Sequence, residues 1–461
     1  MSEDTPIWKK YPEQVLKRLR KVSAMRIIPV VFGLIIFVGA FLLMLPVSSR
    51  AGNWTDFTDA LFTATSATCV TGLIRFDTYT YWSTFGQIVI LCMIQIGGIG
   101  FMSIAVSFMA LTGHKIGLSS RMLMQNSISA PQVGGMVKIT RFLTLGTFLI
   151  EGIGALLLSF IFVPKYGPGK GMYFSLFHSI SAFCNAGFDL MGTEEQFSSL
   201  TTMGDNWYLN LVIMLLIIIG GLGFFVWKDM IETKFRFKKM KLHTKIVLTI
   251  STILILTGFV VFFFMELGEP GTEGVSIPNQ LLHALFQSVT TRTAGFNSID
   301  LTKMTEGSRF LMIVLMLIGG SPGSTAGGMK TTTFAVITIS IYSVYKRKKS
   351  EEAFGRRMDE DIMRSATCVL MTYLILSCGT AILISKLECI PILTALFETA
   401  SALGTVGLSL NLTPQVGMVS KIILAMLMFI GRVGSVTIMM GFSSPRKMSP
   451  SKLPLEKVQI G

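Results

Sequence analysis

Charge is scarce in this sequence. Asp, Glu, Lys and Arg together make up 14% of its 461 residues, where a soluble domain carries about 25%. Hydrophobic residues reach 51% and the mean hydropathy is +0.62, the balance of a membrane protein. Histidine is nearly missing: His114, His178, His243 and His283 lie far apart and form no HxxxH or HExxH cluster. Six cysteines (Cys69, Cys92, Cys184, Cys368, Cys378, Cys389) make no CxxC pair, and most fall within or beside apolar runs. Neither a metal centre nor a disulfide framework is expected from these spacings. No convergent acid/base or nucleophile set stands out, so no enzyme is expected, and the loops are too short for a receptor domain. No secretory leader is expected either. The first 25 residues are polar and basic, with no short apolar stretch ahead of a small-residue cleavage site, so the first apolar run is expected to be a true span.

What the chain does have is long apolar runs. Residues 27–45, 209–227 and 246–265 each exceed the roughly 18 apolar residues that mark a spanning helix. The 40 basic residues outnumber the 26 acidic ones, and they concentrate in alternate polar segments. The N-terminus carries Lys9, Lys10, Lys17, Arg18, Arg20, Lys21 and Arg26, and later clusters fall at residues 115–141, 228–245, 346–364 and 446–457. The positive-inside rule puts these segments and both termini in the cytoplasm. The net charge of +14 needs no nucleic-acid partner, because topology and contact with anionic membrane lipid account for it.

The segments on the opposite, acidic side share a pattern. Ala60-Leu61-Phe62 leads to Ser66-Ala67-Thr68-Cys69-Val70-Thr71-Gly72, and Ser175-Leu176-Phe177 leads to Ser181-Ala182-Phe183-Cys184-Asn185-Ala186-Gly187. Ala284-Leu285-Phe286 leads to Thr290-Thr291-Arg292-Thr293-Ala294-Gly295, and Ala395-Leu396-Phe397 to Ser401-Ala402-Leu403-Gly404-Thr405-Val406-Gly407. The closing glycines recur after 115, 108 and 112 residues, and Phe-to-Gly spacing is ten in the first, second and fourth copies and nine in the third. Such a period is a repeat architecture. First helices are expected near 27–45, 140–163, 246–266 and 365–385, second helices near 85–111, 208–227, 309–345 and 419–442. The fold class expected is therefore an all-α polytopic membrane protein. Its four helix–pore loop–helix repeats (eight transmembrane helices) surround a pseudo-fourfold central pore. The divisions are a cytoplasmic N-terminal segment (1–26), repeats over 27–113, 114–234, 235–350 and 351–442, and a cytoplasmic tail (443–461).

The stretch before each glycine is too short to span a membrane but long enough for a half-helix that enters and returns. Non-helical backbone survives at membrane depth only where it is buried or lines a water-filled cavity. Four helix C-termini, each partly negative, would favour a cation between them. Glycine takes positive φ without steric cost, so successive carbonyls can face one axis and replace the hydration shell of a potassium ion. The candidate selectivity filter is Cys69, Val70, Thr71 and Gly72; Cys184, Asn185, Ala186 and Gly187; Arg292, Thr293, Ala294 and Gly295; and Gly404, Thr405, Val406 and Gly407. No charged side chain recurs in it, so K⁺ at the filter is the only metal expected. Glu398, read as the start of the fourth pore helix, is expected to be structural.

A second feature interrupts the helix expected over 309–345. Gly319-Gly320-Ser321-Pro322-Gly323-Ser324-Thr325-Ala326-Gly327-Gly328-Met329-Lys330 holds five glycines and a proline, which cannot continue an undisturbed helix. Met329 separates the last glycine from the lysine and no strand precedes the run, so it is not a phosphate-binding P-loop. A kink between packed helices is one reading; an intramembrane loop that blocks or clears the path is the favoured one. Lys330 would snorkel inward from its end. Arg432, in the middle of the last apolar run, either ties helices together through carbonyls or acts on the ion path as an electrostatic barrier or a latch for the loop.

On these motifs the chain resembles the Trk/Ktr/HKT superfamily of potassium transporters, and within it the bacterial KtrB-type membrane subunits, from about residue 26 to the end. The resemblance implies that Gly72, Gly187, Gly295 and Gly407 are the filter glycines. In plant relatives a serine in the first repeat goes with sodium preference, so four glycines imply potassium. It also implies a gating role for residues 319–330 and a pathway-lining role for Arg432. Beyond the chain itself it implies a bacterial plasma-membrane location, a homodimer on a cytosolic KtrA-type nucleotide-binding (RCK) ring, control by ATP and ADP through that partner, and sodium as an activator. The competing transport reading is a tightly coupled K⁺/Na⁺ secondary symporter. Such proteins often have inverted repeats, whereas all four loops here enter from one side.

Overall fold

The computed structural model describes residues 24–100, 136–348, 350–434 and 456. Most of the 1–26 segment, the 443–461 tail, the basic stretch around Lys115 and Arg121, and the far ends of the helices expected over 85–111 and 419–442 lie outside the described residues.

The first unit consists of α1 (Ala24–Met44), α2 (Phe57–Cys69) and α3 (Thr84–Ile99). The second has α4 (Met136–Tyr166), α5 (Pro168–Cys184), α6 (Trp207–Leu222) and α7 (Phe224–Glu232). The third has α8 (Leu242–Glu266), α9 (Ile277–Thr290), α10 (Glu306–Leu317) and α11 (Thr331–Tyr345). The fourth has α12 (Glu360–Glu388), α13 (Ile392–Gly404) and α14 (Met418–Val433). Each unit is thus a long helix, a short helix and a returning helix, in that order.

Among the described residues, the long helices α1, α4, α8 and α12 are the four single helices long and apolar enough to cross a membrane. Their outer faces carry Phe37, Leu149, Phe264 and Ile375, each at least 60% exposed, as a lipid-facing helix requires. The short helices are the reverse: Phe62, Phe177, Phe286 and Phe397 are all fully buried. Local chemistry starts them where they start. Asp56 caps α2 by accepting from Thr58 N–H at 2.9 Å, and Pro168 opens α5, where its missing N–H costs nothing.

The returning helices depart from expectation. The single span expected over 208–227 is a pair, α6 and α7, bent by 90° at Gly223 (φ 93°, ψ 143°). Likewise α3 stops at Gly100 (φ 85°) and α14 at Gly434 (φ 92°). Such dihedrals lie outside the helical region and are open only to glycine. Apolar sequence continues across the first two breaks, so hydropathy alone could not reveal them. The interruption between α10 and α11 falls where it was expected.

The units close on themselves. Within the first unit α2 packs on α1 and α3, and beyond it each returning helix packs on the next unit's short helix: α3 on α5, α6 on α9, α10 on α13, and α14 back on α2. Four short helices therefore stand around one axis inside an outer wall of long ones.

Candidate ion pathway

The short helices end alike. In α2, α5 and α13 the residue after the helix (Val70, Asn185, Thr405) is left-handed at φ 58°, 60° and 52°. The next N–H reaches back to a carbonyl one turn inside: Thr71 to Ser66, Ala186 to Ser181, Val406 to Ser401, each at 2.8 Å. This is the Schellman closure of a helix C-terminus. Two residues beyond each left-handed residue comes a glycine with positive φ: Gly72 (93°), Gly187 (68°) and Gly407 (93°). In the third unit α9 stops earlier, at Thr290, and Thr291 and Arg292 make a wider turn before Thr293 (φ 71°) and Gly295 (φ 79°) restore the pattern. The shorter Phe-to-Gly spacing is absorbed at the helix end, and the backbone of the candidate filter is kept.

The four glycines meet. A methyl group placed on Gly72 would lie 2.5 Å from the carbonyl oxygen of Ala186, one on Gly187 would lie 2.8 Å from that of Ala294, and one on Gly295 would lie 2.5 Å from that of Val406. A methyl on Gly407 would overlap the carbonyl oxygen of Thr71. The order 72, 187, 295, 407 closes into a ring in which each glycine has no room for any side chain. Buried hydroxyls brace the ring from behind. Ser66 and Ser401 accept from the N–H of Gly72 and Gly407, both at 3.1 Å. Ser181 and Thr290 donate to the carbonyls of Phe188 and Phe296 at 2.6 and 2.7 Å.

A further brace uses the residue after the shared phenylalanine. His178 Nε2 accepts from the N–H of Leu190 at 3.3 Å, while its Nδ1 pairs with the Phe174 carbonyl at 2.8 Å. Glu398 accepts from the N–H of Leu410 at 3.1 Å and from the Thr413 hydroxyl at 2.7 Å. Leu190 and Leu410 both stand three residues past a ring glycine, so the two side chains hold equivalent return segments. Glu398 is a structural group, but it lies in the middle of α13, not at its start. The filter candidates also divide by direction. Cys184 Sγ turns back towards Glu151 at 3.7 Å, and the Arg292 guanidinium donates to Ser251 on α8 at 3.0 Å. Arg292 thus contributes backbone, with its charge sent to the outer wall.

The loop Ile318–Lys330 sits against the inner ends of the short helices. Its neck is closed by Gly319 N–H to Met329 O at 2.7 Å and Thr331 N–H to Gly320 O at 3.0 Å. Ser321 N–H donates to Gly221 O at 3.0 Å, and Phe224 N–H donates to Gly323 O at 2.8 Å, so the loop fills the break between α6 and α7. The Thr325 hydroxyl donates to Phe183 O at the end of α5, at 3.0 Å. A methyl on Gly328 would lie 2.8 Å from the Gly404 carbonyl, and one on Gly327 would overlap the Thr405 side chain. The loop therefore lies directly beneath the ring. Lys330 curls back onto it, Nζ donating to Ala326 O at 2.9 Å and Gly327 O at 3.2 Å. Pro322, Gly323 and Ser324 are half-buried and the rest of the glycine-rich run is largely buried.

Comparison with known proteins agrees with this geometry. Residues 18–452 match the family model described as TrkH, a cation transport protein. The chain belongs to the TrkH family. It is 39% identical to the potassium/sodium uptake protein NtpJ of Enterococcus hirae, covering 96% of this chain and 99% of that one. It is 42% identical to the Ktr system potassium uptake protein B of Bacillus subtilis, covering 94% and 95%. The potassium transporter TrkH from Vibrio parahaemolyticus has the same fold, with a TM-score of 0.71 at 19% identity over 92% of this chain and 86% of that one.

One feature of this TrkH-family chain escaped the sequence reading. The returning helices carry a second repeat: Gly97-Gly98-Ile99-Gly100, Gly220-Gly221-Leu222-Gly223, Gly319-Gly320, and Gly431-Arg432-Val433-Gly434. The first glycine of the motif lies under a short-helix carbonyl, since a methyl on Gly97, Gly220 or Gly431 would overlap Thr68 O, Phe183 O or Leu403 O. Arg432 stands where the other three copies have their second glycine. Its guanidinium donates to the carbonyls of Thr325 and Gly97, and to that of Gly98 at 3.3 Å. Comparing the copies would have shown that the arginine replaces a glycine.

Proposed function

We propose that this chain takes up potassium across the bacterial plasma membrane through a gated, carbonyl-lined filter, as the ion-translocating subunit of a Ktr-type system. The observation that carries this reading is the closed ring of Gly72, Gly187, Gly295 and Gly407, with the carbonyls of Thr71, Ala186, Ala294 and Val406 between neighbours. Backbone carbonyls at that density replace the hydration shell of a monovalent cation and demand no side-chain charge. The relatives named for potassium uptake support the choice of ion.

In this reading residues 27–113, 114–234, 235–350 and 351–442 each supply two crossings, with both termini cytoplasmic and the filter opening outward. Residues 319–330 are the gate, latched by Arg432 and folded on Lys330. The chain works as a homodimer on a cytosolic KtrA-type RCK ring. ATP and ADP act only through that partner, and Na⁺ is an activator. Purified protein in liposomes, given a potassium gradient, tests the pathway: K⁺ influx that discriminates against Na⁺ and carries no sodium with it supports a pore, and sodium entering in fixed ratio with potassium supports the coupled symporter instead.

A further inference from the structure

Three units tie the segment beyond the ring glycine directly to their own short helix, and the third unit does not. His178 and Glu398 accept from the N–H groups of Leu190 and Leu410, three residues past Gly187 and Gly407. The first unit makes the tie from the other side, where Arg75, three past Gly72, pairs with Asp59 on α2 at 3.7 Å. In the third unit the equivalent residues are Gln287 and Ser298. Gln287 is fully buried and Ser298 is 2% exposed. Yet among the described residues neither end of the Gln287 amide nor the Ser298 hydroxyl has a hydrogen-bonding partner. Both residues line a cavity of about 210 Å³, the space of several waters. A buried amide with neither end paired to protein is costly, and an apolar side chain of the same size would avoid that cost.

The third return segment is held from another unit instead. Asn297 N–H donates to the Ser199 hydroxyl at 3.1 Å, and the Asn297 carbonyl accepts from Leu200 N–H at 2.9 Å. A methyl on Gly204 would overlap the Ser298 carbonyl oxygen. Asp205 lies 3.3 Å from His283 on α9, and the Trp207 indole donates to Asn279 on the same helix at 3.1 Å. The stretch leading into α6 thus carries the segment that elsewhere hangs from its own short helix. Inside the unit the Thr290 hydroxyl still holds the Phe296 carbonyl at 2.7 Å. The ring glycine is therefore placed, while the chain just beyond it backs onto a cavity. Few packed neighbours and no direct tie to α9 leave this quarter the freest to shift.

We propose that Gln287 is a specificity-determining position: by leaving the third return segment without a direct brace, it makes that quarter of the carbonyl ring compliant, able to close on an ion smaller than potassium. The proposal rests on the pore reading given above. A cage fixed at the radius of potassium leaves a sodium ion poorly coordinated, whereas a cage with one movable side can contract around it. Discrimination therefore falls as that side loosens and rises as it is tied down. Gln287 itself touches no ion; it acts through the backbone of residues 295–298.

Uptake of potassium and sodium in direct competition, into proteoliposomes holding the full chain, tests this. Gln287→His copies the second unit, where Nδ1 meets the carbonyl four residues back and Nε2 accepts from the N–H three past the glycine. Its K⁺/Na⁺ preference should rise by up to about fivefold, the factor that one added hydrogen bond supplies. Gln287→Leu fills a similar volume without an acceptor and should give no rise. His178→Gln makes the reverse change in the second unit and should lower the preference, which keeps the test decisive if Gln287→His folds poorly. An unchanged preference in Gln287→His or in His178→Gln, or an equal rise in Gln287→Leu, overturns the proposal. Gly72→Ser, measured alongside, separates the two readings. If it alters selectivity while the variants at 287 and 178 do not, the filter reading stands without this one; if it too has no effect, the filter reading falls as well.

Discussion

The guanidinium of Arg432 donates to the carbonyl oxygen of Thr325, so a side chain on the last described helix holds the loop of the third unit beneath the ring. The same guanidinium reaches Gly97 and Gly98 of the first unit. Of the readings of Arg432 from sequence, the tie through carbonyls describes these contacts; the latch is the reading tested next. A hydrogen bond from a charged group contributes about 1.5–3 kcal/mol. Arg432→Gln should therefore shift the loop equilibrium towards open by about 10–100-fold and raise potassium influx with selectivity unchanged. Influx at the wild-type level would show that the contact does not hold a gate.

Removing residues 321–328 tests the loop itself. They bond to Gly221, Phe224 and Phe183 but contribute nothing to the ring of glycines. Faster influx with wild-type K⁺/Na⁺ discrimination is the expected outcome, read as rubidium uptake by a potassium-uptake-deficient strain. Unchanged flux would assign the loop to packing alone.

Gly72→Ser places a side chain at a positive φ of 93° where the Ala186 carbonyl is only 2.5 Å from its first atom. A strained left-handed residue costs about 1–3 kcal/mol, and here the displaced atom is a carbonyl of the proposed filter. The expected result is loss of discrimination between potassium and sodium in competition uptake. Full selectivity would remove Gly72 from the filter.

Lys421 on α14 and Asp59 on α2 form a buried ion pair that joins the fourth unit to the first. Lys421→Met alone strands the carboxylate with Arg75 at 3.7 Å and should cost about 3–5 kcal/mol. Adding Asp59→Asn should recover most of that loss, as measured by thermal unfolding of the detergent-solubilised protein. Additive losses in the double variant would mean the pair is not coupled.

Much of the pathway was legible because the chain repeats itself. Four copies of Phe and Gly at near-constant spacing pointed to the four glycines that meet in the ring, even in the third copy, where α9 is shorter; the left-handed residues ahead of them were not foreseen. What stayed hidden were features that depend on partners. Gly223 looks like any glycine in an apolar run until Pro322 and Gly323 of another unit fill the bend beside it. Glu398 looked like an N-terminal acid because the start of α13 is set by Pro391, and its donors Leu410 and Thr413 lie beyond Gly407.

The order of residues by itself decided the membrane, the fourfold unit and the glycines that permit positive φ, since these depend on composition, period and the lack of a Cβ. Only the folded chain decided which carbonyl faces which glycine, that Arg292 turns to Ser251 while Arg432 turns to Thr325, and that Asp189 and Asn297 share one cavity. Apart from Arg292–Ser251, which lies within the third unit, those are contacts between units more than 100 residues apart, and their direction is set by how closed rings of helices pack, which no local pattern encodes.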